Sequence, residues 1–202
     1  MANMNDPKTK TPQNIAPPFY FPKDFPPLGD KYFIAFVFWG YTPRGMTKTA
    51  MITLAATLAA MPVEAREKAH LLILTNAIGA VESGMNYAAQ GDSGKALGAW
   101  QVHVAAWITA NQWRIKEGLP SISRKEWRVP DNQRAIAVAY VTWCRDRLVD
   151  DGIANPSPEQ IYLAFTMGYS GAKSVGHSLI NAPKRKADAA ERVGNIYREL
   201  VK

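Results

Sequence analysis

Residues 66–84 read REKAHLLILTNAIGAVESG. Leu74, Ile78 and Glu82 recur at i, i+4 and i+8, with Ile73, Ala77 and Val81 beside them, which is the spacing of one helix face. The pattern predicts an amphipathic helix with Glu82 on or beside its buried stripe. Gly84 follows as a natural C-terminal cap. Beyond it, Gly91-Asp92-Ser93-Gly94 is good turn sequence and predicts a small hairpin or irregular turn over 91–98. A second amphipathic stretch covers about 97–113. Pro130-Asp131 opens a third helix through Ala135, Ile136, Ala139 and Trp143 to Leu148, closed by Gly152. Ser157-Pro158-Glu159-Gln160 is a capping box with proline at the first helical position, so a fourth helix is expected to reach Met167 and to break over 168–171. A last helix is expected over about 187–201. Little alternates with period two, so the fold class predicted for 66–202 is mainly α.

Toward the N-terminus the pattern changes. Residues 1–31 hold Pro7, Pro12, Pro17, Pro18, Pro22, Pro26 and Pro27, a density that blocks helix and leaves extended or polyproline-like chain. The apolar run 32–39 (YFIAFVFW) is too short to span a bilayer as a helix. It reads as a strand, a strap on the domain, or an arm for membrane or virion attachment. Residues 46–65 then have two readings. Lys48, the apolar stretch 50–61 and Val63-Glu64-Ala65 follow the three regions of a secretory signal peptide, although 45 residues precede them. The same residues also read as a core helix. The organisation is therefore 1–45 as a Pro-rich extension or a mis-assigned upstream start, 46–65 as a candidate signal, and 66–202 as the folded domain. On the signal reading, protein found outside the cytoplasm begins at or near Arg66.

Composition sets further limits. With 202 residues, 47% of them hydrophobic and 20% charged, the chain makes one medium domain with an appendage, and bulk disorder is excluded. The net charge of +7 favours a polyanionic partner, whether nucleic acid, anionic lipid or bacterial wall. Cys144 is the only cysteine, which excludes an intramolecular disulfide and a cysteine-based zinc site. It reads as a buried thiol. His70, His103 and His177 lack ligand spacing, so neither metal nor cofactor is assigned.

A carboxyl at the C-terminal end of a helix faces the negative end of the helix dipole, and half-burial strips its solvent; both disfavour the anion. That environment suits a general acid, and Glu82 occupies it. Glu82-Ser83-Gly84, then Gly91-Asp92-Ser93-Gly94, then Gly98-Ala99-Trp100-Gln101-Val102 resembles the lysozyme superfamily, in particular goose-type lysozymes and soluble lytic transglycosylases. The resemblance covers roughly 69–175. It implies a lysozyme-like helical domain with a cleft, acting on peptidoglycan glycan strands at the β-1,4 bond between N-acetylmuramic acid and N-acetylglucosamine. It also implies that Glu82 is the catalytic acid, with Ser83, Gly98, Trp100 and Gln101 around the sugar site and Asp92 as a second catalytic carboxylate.

The chain departs from that pattern twice. His103 stands where goose-type lysozymes carry Asp, and 167–172 (MGYSGA) lacks the Asn of the aromatic-Asn-Ala-Gly motif; Tyr169 is carried over as a sugar-contacting residue. With one carboxylate replaced, attack by the muramoyl 6-hydroxyl is favoured over hydrolysis. The enzyme would be exported to periplasm or exterior, or carried by a phage as a virion component or lysin. Two other classes stay in view: a non-catalytic wall or chitin binder, and a basic nucleic-acid module on 184–186 (KRK). No groove-reading motif supports the latter, so no nucleic-acid partner is expected.

Overall fold

The computed structural model describes residues 62–202. The Pro-rich extension, the run 32–39 and nearly all of the candidate signal lie outside them. Among the described residues the chain forms six helices and one short antiparallel hairpin, the mainly α architecture expected. Helix α1 (Val63–Ser83) carries the quoted stripe and stops at Gly84, whose left-handed conformation (φ 65°) lets its N–H reach the carbonyl of Ala80. Strands β1 (Gln90–Gly91) and β2 (Ala96–Leu97) follow, pairing Gln90 with Leu97 and Gly91 with Ala96. Next come α2 (Val104–Lys116) and α3 (Pro130–Asp150), then α4 (Pro158–Met167) with both hydrogen bonds of its capping box formed. The short α5 (Tyr169–Ser174) and the terminal α6 (Lys184–Val201) complete the domain.

Helix α3 packs against α1, α2 and α4, while α6 lies across α4 and α1. Ile73 and Ile78 from α1, Trp100 from the hairpin loop, Ile136 and Leu148 from α3 and Leu163 from α4 are all fully buried. Burying an aliphatic side chain of this size contributes about 1.5–3 kcal/mol.

Three expected boundaries are corrected. Residues 97–103 are not helical: Leu97 and Val102 bridge each other across a loop in which Gly98 (φ 74°) and Gln101 (φ 49°) are left-handed, so α2 begins only at Val104. The chain breaks at Gly168 (φ 71°, ψ 155°) but resumes as helix at Tyr169, so 168–171 is a kink between two helices. The final helix starts at Lys184, because the Pro183 carbonyl accepts from the N–H groups of Lys186 and Ala187.

The hairpin loop brings polar backbone into the core, and Gln133 on α3 satisfies it. Its Oε1 accepts from Ala99 N–H at 2.9 Å, while Nε2 donates to the carbonyls of Tyr87 at 2.8 Å and Trp127 at 2.6 Å. Gly98 is required beside it, since a Cβ there would strike the Gln133 amide. Gln133→Leu removes these three bonds and keeps the volume near constant. Each orphaned group costs about 1–3 kcal/mol, so urea denaturation is expected to show a loss of at least about 3 kcal/mol. A loss below about 1 kcal/mol contradicts the clamp.

Candidate functional site

Glu82 is half-buried in the last turn of α1, and its Oε1 accepts from the Tyr162 hydroxyl of α4 at 2.8 Å. Burial, followed by the adjoining Glu82 carboxylate, pushes the Tyr162 hydroxyl well above its ordinary value. Tyr162 therefore keeps its proton and can donate it to Glu82.

The neighbouring residues fasten this helix end to the hairpin. Ser83 Oγ donates to the Ala99 carbonyl at 2.7 Å and accepts from Asn86 N–H at 3.0 Å. Gln101 Nε2 donates to the Gly98 carbonyl at 2.8 Å, folding that side chain back over its own loop. Trp100 is fully buried; its indole N–H donates to the Thr75 carbonyl at 2.7 Å and its ring meets Tyr87 edge-on at 5.8 Å. The Trp100 side chain thus belongs to the core beneath the loop and offers no surface to a ligand.

At the open edge of the hairpin, Asp92 Oδ2 lies 2.9 Å from His103 Nε2, and both side chains are exposed. This contact joins the turn 92–94 to the start of α2. Backbone conformation is unusual throughout. Of the five non-glycine residues with positive φ among the described residues, Met85, Asp92, Ser93 and Gln101 lie in this one segment. Such conformations persist where surrounding contacts over-determine them, and they concentrate at functional sites.

Tyr169 stands apart from that group. It lines a cavity of about 460 Å³ together with Tyr140, Trp143, Arg147 and Met167, and Glu82, Asp92 and Gln101 are not in this lining. Trp143 stacks on Tyr140 (centroids 5.7 Å, planes 9° apart) and meets Tyr169 edge-on at 6.0 Å. The Arg147 guanidinium sits 5.1 Å from the Tyr169 ring centre, an attractive cation–ring geometry. Beside it, Asp151 accepts from Lys173 at 2.9 Å and lies 3.2 Å from His177 Nε2. Hydrogen bonds from Tyr169, then Lys173, and more weakly His177 outweigh desolvation and hold the Asp151 carboxyl down at about 2.

The candidates therefore fall into two groups: Glu82, Ser83, Asp92, Gly98, Gln101 and His103 around the hairpin, and Tyr169 in its aromatic cavity. Sequence reasoning missed Tyr162 and Gln133. Neither has a local signal, because one reads as a core aromatic and the other as a polar residue early in α3. Cys144 is fully buried, and burial raises its thiol well above the ordinary range, which leaves it inert as a nucleophile. No protein-family model matches the chain, and no curated protein or solved structure matches it significantly.

The depressed Asp151 value has a stability consequence. Its contribution is complete above the ordinary value of 3.8 and is lost as pH falls toward about 2. Asp151→Asn is expected to flatten the fall of unfolding free energy across that window, measured by urea denaturation at successive pH values. Parallel curves for the two proteins contradict the assignment.

Proposed function

We propose that this chain cleaves the β-1,4 bond between N-acetylmuramic acid and N-acetylglucosamine in peptidoglycan, as a lysozyme-like enzyme with Glu82 as general acid. The observation that carries the reading is the convergence of three short motifs. Glu82 lies in the last turn of α1, Ser83 bonds to Ala99 in the third motif, and Asp92 of the second meets His103, the residue that follows the third. The resemblance to goose-type lysozymes and lytic transglycosylases supplies the reaction.

On this reading Glu82 gives its proton to the glycosidic oxygen as positive charge develops on the muramoyl ring. The bond from C1 to the leaving oxygen breaks, and the muramoyl 6-hydroxyl closes on C1. The same Glu82, now a carboxylate, takes the hydroxyl proton, so acid and base are regenerated without a water molecule. Proximity favours this intramolecular route. A hydrolytic route needs a second carboxylate to activate water, and Asp92, the candidate for that role, has one oxygen engaged by His103. The Tyr169 cavity, with its aromatic faces and Arg147, suits a sugar bearing an anionic substituent. The net charge of +7 attracts the anionic wall, an association that added salt weakens.

Glu82→Gln keeps the shape and removes the transferable proton. Positioned acid catalysis is typically worth about 10² to 10⁴ in rate, so the loss of turbidity of purified walls is expected to slow at least a hundredfold, about the lower bound, while the melting curve is kept. Near-normal lysis by the folded variant would falsify the role of Glu82.

A further inference from the structure

The cavity beside Tyr169 lies between α2, α3 and the kink from α4 to α5, and its lining is chemically one-sided. Ala105, Ala106 and Met167 give it small apolar surface, and Arg147 is the only charged residue in it; among the described residues that line it, none is Asn, Gln, Asp or Glu. A pyranose ring presents hydroxyls that both donate and accept, and amide and carboxylate side chains are the groups that match them. The cavity supplies no such side chain. Its rings face one another and nearby cations: Trp143 lies on Tyr140, and Tyr169 carries Arg147 at 5.1 Å and Lys173 at 5.6 Å from its centre. Small apolar surface next to a guanidinium fits an alkyl group followed by a carboxylate.

We propose that this cavity receives the stem peptide of peptidoglycan and not a sugar ring: the lactyl and alanyl methyl groups fill its apolar part, and Arg147 holds the free carboxylate of the acidic residue that follows. The proposal rests on the reading of the chain as a peptidoglycan-cleaving enzyme, and it makes Arg147 the residue that favours peptide-bearing strands over bare glycan.

Two elements tie the cavity to Glu82 and the hairpin. On α4, Met167 comes five residues after Tyr162, the residue bonded to Glu82, a rise of about 7.5 Å along the helix. On α2, Ala105 comes two residues after His103, which meets Asp92. A strand with its scissile bond at Glu82 therefore passes near the cavity, and a branch from the muramoyl ring can enter it. Of the two cations over Tyr169, Lys173 is paired with Asp151 at 2.9 Å and does not line the cavity. Arg147 has Asp150 at 3.3 Å, an exposed pair that uses one of five N–H donors and contributes little. The guanidinium keeps donors for a bidentate carboxylate.

Calorimetry on the full chain tests this with two probes: N-acetylmuramoyl-L-alanyl-D-glutamate, and the same compound with both glutamyl carboxyls amidated. Sugar and alanine are identical in the two. The acid is expected to bind about tenfold more tightly than the diamide, because hydrogen bonds to a charged group are the stronger ones. Arg147→Gln is expected to erase that difference, and Arg147→Lys, which keeps the charge without the fork, to retain part of it. Amide shifts in NMR spectra are expected to move over 167–171 when the acid is added. The second readout is lysis of intact sacculi against sacculi stripped of stems by an amidase, which leaves the lactyl carboxylate in place. The wild type is expected to favour intact sacculi, and the ratio of the two rates to fall about tenfold in Arg147→Gln. Equal affinity for acid and diamide, a difference that survives Arg147→Gln, or shifts confined to residues outside the cavity overturns the proposal. Binding is read without catalysis. A wild type that distinguishes acid from diamide at the cavity but lyses nothing refutes the glycan-cleaving reading and leaves the peptide site standing.

Discussion

Buried backbone must find hydrogen-bond partners, and the candidate site depends on how residues 85–103 meet that condition. The segment has only two two-residue strands of its own, yet Ala96, Leu97, Ala99, Trp100 and Val102 are buried. Leu97 pairs with Val102 and Gly98 N–H with the Ala89 carbonyl inside the segment, and the remaining partners come from the helices around it. Gln133 reaches from α3 to Ala99, Tyr87 and Trp127, Ser83 reaches from the end of α1 to Ala99, and the Trp100 indole bonds to Thr75. Each bond is made by a helix already fixed in the core, so the loop inherits the rigidity of that core. Within that frame Gln101 keeps its left-handed backbone and bonds to the Gly98 carbonyl, while Asp92, also left-handed, meets His103 at the exposed end of the hairpin.

The helical part of this architecture was legible because its signals are local. The Ser157 capping box, the stop at Gly84 and the stripe on α1 each act within a turn or two, and all three form as read. The failures are equally physical. The stretch 97–103 carries apolar residues at helical spacing, but Gly98 and the Leu97 to Val102 bridge turn it into a loop, and those contacts reach outside the sequence window. Pro183 extends α6 back over the basic run 184–186, and one of its lysines, Lys186, bonds to Thr166 on α4.

The same distinction divides the site. Glu82 was singled out by its place at a helix end together with the lysozyme-like motifs that follow it, and Asp92 by those motifs alone. Their partners were not. Tyr162 is 80 residues from Glu82 in sequence, and His103 meets Asp92 across 11 residues. Trp100 belonged to a motif pointing toward a ligand surface, yet its volume is spent in the core, where an indole with a satisfied N–H is most stabilising. What unites the hairpin group is a carboxyl oriented by a neutral, proton-bearing tyrosine at the rim of a rigid loop.

That arrangement is read as the acid of a glycan-cleaving enzyme, and the chemistry of the released fragments tests it most directly. Purified peptidoglycan sacculi, incubated with the full chain and separated from insoluble wall, are analysed by mass spectrometry of the soluble fraction. The account predicts disaccharide-peptides ending in 1,6-anhydromuramic acid, lighter by one water than their reducing-end counterparts. An absence of soluble muropeptides, or fragments released only by peptide-bond cleavage with the glycan strands intact, would contradict it.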